Sequence, residues 1–100
     1  MPQVSFSVPH QLGQAEAVRR MQEKADEVKK SFGNDVSNAF DRWNGNQLDF
    51  GFTSMGMNVK GNMAVEEADV KVRVELPMVA MMFKGMVEKR VREELGKLLA

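Results

Sequence analysis

The run MGMNVKGNMAV and the run ADVKVRVEL behind it alternate apolar and polar residues over most of residues 55–76. In an extended chain successive side chains point to opposite faces. Met55, Met57, Val59, Gly61, Met63 and Val65 therefore share one side, against Asn58, Lys60 and Asn62 on the other. In the second run Val70, Val72, Val74 and Leu76 oppose Asp69, Lys71, Arg73 and Glu75. A sheet with one apolar and one charged face is antiparallel and covered on one side only. The rest of the chain has to supply that cover.

Three further stretches complete the pattern. VSFSV places Val4, Phe6 and Val8 on one face of a strand that Pro9 ends. From Gln11 to Phe32 the apolar positions Leu12, Ala15, Val18, Met21, Ala25, Val28 and Phe32 recur at three and four, which predicts one amphipathic helix stopped by Gly33 and Asn34. AFDRWNGNQLDFGF reads as a hairpin. A Gly45-Asn46 turn, or a four-residue loop, sets Trp43 beside Leu48, so that Trp43, Leu48, Phe50 and Phe52 share a face, with Asp41 opposite Phe50. Such an Asp belongs at a rim or needs a hydrogen-bond partner.

Behind Pro77, the positions Val79, Met82, Phe83, Met86, Val91, Leu95, Leu98 and Leu99 predict the inward stripe of a final helix roughly 30 Å long. The expected architecture is one α+β domain over residues 1–100, in two layers. An antiparallel sheet of about five strands carries two helices on one face, in the order β-α-β-β-β-β-α. The first strand can pair with the last or lie elsewhere in the sheet.

Composition narrows the function classes. Fourteen basic and fourteen acidic residues cancel and are interspersed, so no basic stripe offers itself to nucleic acid. With no cysteine there is no disulfide framework. No basic-then-apolar leader opens the sequence, and no apolar run reaches the roughly twenty residues that span a bilayer. A cytoplasmic location is the expectation.

Chemistry-bearing residues are few. His10 is the sole histidine and there is no tyrosine. The simplest role for His10, in PHQLG, is to accept from a backbone N–H at a helix start that lacks a Ser, Thr, Asp or Asn cap. A catalytic role would require Asp41 to orient it, two residues distant in sequence meeting within about 3 Å. Glu66, Glu67 and Asp69 read as a solvated acidic turn, and one histidine with scattered carboxylates is no metal-ligand set. No cofactor is expected. Gly51, Gly56 and Gly61 lie in or between strands, where glycine marks bulges, bends or close backbone approach.

The methionines carry the remaining signal. LPMVAMMFKGMVEKR concentrates four of the nine, and methionine suits either an irregular core or a surface that adapts to apolar partners. Met78 and Met81 fall outside the expected stripe and, with Met82 and Phe83, define a candidate apolar interaction surface at the helix entrance. Phe52, Met57, Met63, Met82 and Met86 define a candidate ligand cavity between sheet and helix, with His10 and Asp41 as its polar rim.

PHQLG, the Trp and LDF of RWNGNQLDF, VKVRVELP and VEKRVREELGKLL, in this order and spacing, resemble the bacterial polyhydroxyalkanoic acid system proteins over nearly the whole chain. This chain differs in MVAMMFKGM, where that resemblance leads one to expect mainly leucine, isoleucine and proline. The resemblance implies association with the synthesis or storage of polyhydroxyalkanoate, a polyester deposited in cytoplasmic granules, and brings no reaction to assign to residues here. The leading expectation is a non-enzymatic protein that binds the granule surface or a granule-associated protein. The alternative is a carrier or sensor of a small apolar acyl ligand. An exposed edge strand or the methionine rim could also close a homodimer.

Overall fold

In the computed structural model, which describes residues 3–32, 37–54 and 56–100, five strands form one antiparallel sheet. The elements are β1 (Gln3–Pro9), α1 (Gln14–Glu23), α2 (Ala25–Phe32), β2 (Ser37–Asn44), β3 (Gln47–Ser54), β4 (Met57–Val65), β5 (Asp69–Glu75), a 3₁₀ helix (Met78–Phe83) and α3 (Lys84–Leu99). The strand order is β1-β5-β4-β3-β2. The first strand pairs with the last, Val4 beside Val74 and Val8 beside Val70.

The registers follow the apolar alternation. Trp43 pairs with Leu48, Leu48 with Met63 and Met63 with Val72, which itself faces Phe6. One slip of a residue would turn every one of these side chains to the wrong face. The β2–β3 turn is Gly45-Asn46, with Gly45 at φ 62, and Asp41 does lie opposite Phe50. Because β2 is an edge strand, Asp41 stays exposed there.

Helices cover one face. α3 packs on β1 and α1, and α1 on β4. The core holds Val4, Val8, Ala17, Met21, Val59, Val65, Val70, Val72, Val74, Leu76, Leu95, Leu98 and Leu99, with Phe52, Met57 and Met63 half-buried against it. Arg92 clamps α3 to the edge strand: its Nη1 donates to the Ser7 carbonyl at 3.0 Å and its guanidinium lies 4.9 Å from the centre of the Phe6 ring.

Three helical expectations change. The first helix begins at Gln14, not Gln11, and divides at Lys24, whose φ −104 and ψ 9 leave the helical region. Ala15 is exposed, and Ala17 takes the buried position in its place. The side chains of Val28 and Phe32, the Gly33-Asn34 stop and Met55 lie outside the described residues. The final helix is also shorter: α3 proper has 16 residues, about 24 Å.

The last change concerns phase. Val79, Met82, Phe83 and Met86, expected to face inward, are 72, 81, 43 and 69 % exposed, while Ala80 is buried and Met81 and Val87 are half-buried. Extrapolating back from Leu95 and Val91 by fours arrives at Val87, not Met86. Leu98, Leu95, Val91 and Val87 belong to one inward stripe. Ahead of α3 the chain tightens, with Ala80 N–H donating to the Pro77 carbonyl at 2.9 Å. A 3₁₀ turn advances 3.0 residues per turn instead of 3.6, so an α-helical stripe cannot be continued through it.

Glycines in the sheet mark close approaches. A Cβ at Gly61 would lie 2.5 Å from the Arg73 carbonyl oxygen and 2.5 Å from Phe50 Cζ, whereas one at Gly96 in α3 meets nothing within 4 Å. Gly61→Ala should therefore lower stability by about 1–3 kcal/mol, and Gly96→Ala should raise it by roughly 0.5–1 kcal/mol. Urea unfolding of the two variants checks both signs.

Candidate functional site

The segment from His10 to Gln14, which joins β1 to α1, is fastened to the β4–β5 turn. The His10 amide donates to the Ala68 carbonyl at 2.9 Å. Its ring Nε2 lies 3.0 Å from the Glu66 carbonyl, and its Nδ1 accepts from the Leu12 amide at 3.2 Å. This is the neutral tautomer with the proton on Nε2. The side chain is 8 % exposed and both nitrogens are engaged, but the amide it accepts from, Leu12, lies two residues ahead of α1, so His10 fastens the turn and does not cap the helix as the sequence led one to expect.

The acidic turn has a role that the sequence did not reveal. Glu67 Oε2 accepts from the Gln14 amide at 3.3 Å, so a side chain from 53 positions away serves the first turn of α1. A carboxylate there is favoured by the helix dipole. Gly13 precedes it at φ 80, and a Cβ at that position would sit 3.0 Å from Glu67 Oε1. Gln14 Nε2 and Asn46 Nδ2 both donate to the Val65 carbonyl, at 3.0 and 2.9 Å. Helix and hairpins are thus joined at one corner.

An open groove runs over this corner, lined by Leu12, Gly13, Gln14, Glu16, Arg19 and Glu67. Arg19 Nε donates to Glu16 Oε1 at 3.0 Å. This hydrogen bond, against opposing desolvation, holds the Glu16 carboxyl below its ordinary range. A second shallow depression lies among Phe40, Asp49, Lys60, Asn62, Arg73 and Glu75. Among the described residues no group of three or more His, Cys, Asp or Glu could hold a metal ion.

The structure separates several residues that the sequence placed together. His10 follows β1 and Asp41 lies on β2, at opposite edges of the sheet. Four strand spacings, about 19 Å, stand between them, so they form neither a dyad nor one polar rim. The cavity set divides as well. Phe52, Met57 and Met63 pack on the core, while Met82 and Met86 stand in solvent. None of the five lines either depression.

Three of the four expected interaction-surface residues stay exposed. Met78 is 78 % exposed, Met82 81 % and Phe83 43 %. Met81 alone turns inward and packs on the core. Val79 and Met86 join the exposed group, which thereby becomes an apolar ridge over the 3₁₀ helix and the first turn of α3. The sequence carried the signal for Met86 in the five-residue step from Met86 to Val91, against four from Val87.

Fold and surface together define a two-layer α+β protein with an open sheet and an exposed apolar ridge. The chain belongs to the family described as "Putative polyhydroxyalkanoic acid system protein", whose model matches residues 4–99. No curated protein and no solved structure matches it. Among the described residues no helix is long and apolar enough to cross a membrane.

With both its nitrogens engaged, His10 is expected to stabilise the corner. His10→Ala leaves the Glu66 carbonyl and the Leu12 amide without that partner, and should lower the unfolding free energy by about 1–3 kcal/mol. Chemical denaturation checks the loss.

Proposed function

We propose that this protein binds the polyester surface of polyhydroxyalkanoate granules in the cytoplasm, without catalysis, through the ridge formed by Met78, Val79, Met82, Phe83 and Met86. The observation that carries this reading is the exposure of Met78, Val79, Met82 and Met86, each between 69 and 81 %. Soluble proteins seldom leave large apolar side chains grouped in water unless the group meets something. Membership of a polyhydroxyalkanoic acid system family supports this choice of partner.

The shape of the ridge favours a surface over a small molecule. Its residues line neither depression, so it can lie against an extended apolar phase. Unbranched methionine side chains adapt to an irregular polymer. The face of the sheet turned away from the core presents Lys60, Lys71, Arg73 and Asp49 to water. A protein so divided would adsorb by its ridge and keep a charged face outward, which would help keep granules dispersed.

Met82 is the position that tests this, because its side chain is 81 % exposed, whereas an acid at Met81 would enter the core. Met82→Asp should reduce co-sedimentation with washed granules about tenfold and leave the melting temperature nearly unchanged. Wild-type binding should persist at high salt, since an apolar contact is not screened. Adsorption that salt abolishes, or that Met82→Asp leaves intact, would overturn the reading. A two-fold dimer in sedimentation velocity that Met82→Asp dissociates would give the ridge to a second copy instead.

A further inference from the structure

The ridge is built largely of one residue type. Met78, Met82 and Met86 recur at every fourth position and are 78, 81 and 69 % exposed. The other described methionines differ: Met21 is 4 % exposed, and Met57, Met63 and Met81 pack against the core. Leucine would present comparable apolar area at these positions. What the thioether adds is two-electron oxidation at sulfur, by a reagent that needs only access.

We propose that Met78, Met82 and Met86 form a modification site for hydroperoxides, at which oxidation to methionine sulfoxide switches the ridge from apolar to polar. The sulfur lone pair attacks one peroxide oxygen. The O–O bond breaks, an S=O bond forms, and with hydrogen peroxide the second oxygen leaves as water after proton transfer. Sulfur is oxidised by two electrons and the peroxide is reduced by two. Each sulfoxide is a strong hydrogen-bond acceptor that favours water over an apolar phase. Three of them leave only Val79 and the half-exposed Phe83 apolar in the ridge.

The fold should survive this change, because none of the three side chains lies among the buried core residues or those packed against them. Oxidation at Met21 would disrupt packing, but its burial protects it. The same burial gradient makes the modification selective. Methionine sulfoxide reductases reverse the reaction with thiol electrons, so the switch can be reset. Release from a granule under peroxide is the consequence, and this part rests on the adsorption reading above.

The test is graded hydrogen peroxide treatment of the folded protein, followed by peptide mass mapping, where each sulfoxide adds about 16 Da. Met78, Met82 and Met86 should oxidise several-fold faster than Met21, with an unchanged far-ultraviolet circular dichroism spectrum. The oxidised protein should elute earlier from a butyl hydrophobic-interaction column and bind polyhydroxybutyrate particles about tenfold less. A variant with Met78→Leu, Met82→Leu and Met86→Leu should keep both properties through the same treatment. Equal oxidation of Met21, unchanged column retention, or the same loss in the leucine variant would overturn the switch. Failure of the untreated protein to bind particles would overturn the adsorption reading alone, since column retention reads the switch independently.

Discussion

The apolar face of β5, continued by Leu76 just beyond it, is the constraint on which the other elements depend. Val70, Val72, Val74 and Leu76 are each at most 2 % exposed, and each contributes roughly 1.5–3 kcal/mol by leaving water. That degree of burial requires neighbours on both edges and a cover above. β1 and β4 supply the edges, and the helices supply the cover. Pairing β1 with β5 brings Gln3 beside Glu75, so the first strand of the chain is joined to its last. α3 then returns over β1, where Arg92 holds it by the Ser7 carbonyl and the Phe6 ring.

This arrangement explains why the ridge is exposed. MVAMMF is apolar all round, and a helix can turn only part of its circumference to a sheet. The phase of α3 is set downstream by Val91, Leu95, Leu98 and Leu99, where charged neighbours leave one apolar stripe. Carried back through a 3₁₀ turn, that phase presents Ala80 and Met81 to the core and leaves Met78, Val79 and Met82 outside. Small Ala80 lets the 3₁₀ turn approach the core closely. The larger side chains remain in water, where they are available to an apolar surface and to oxidants.

Polar structure is concentrated at the other corner. His10, Gln14, Asn46 and Glu67 fasten the first helix to two hairpins through backbone carbonyls and amides. Among the described residues no buried side-chain nitrogen or oxygen lacks a hydrogen-bond partner. The arrangement is that of a structural joint. The apolar ridge, not this joint, therefore carries the proposed binding.

Strands, hairpin register and the two-layer class were legible in the order of residues, because alternation is local and a slip of one position would turn Trp43, Leu48 and Phe50 away from the core. Only part of the His10 contact set was legible: the Leu12 amide is two residues away, whereas the Glu66 and Ala68 carbonyls come from the β4–β5 turn. Strand order, the Glu67 carboxylate at α1 and the division at Lys24 were not legible. Strand order and the Glu67 contact join groups more than fifty positions apart, and no Gly or Pro marks Lys24. The methionine ridge lies between these cases. Sequence determined that this segment would be apolar, whereas tertiary structure alone decided which of its side chains reach the core. A helix apolar on every side has no preferred face until the sheet and the downstream stripe impose one.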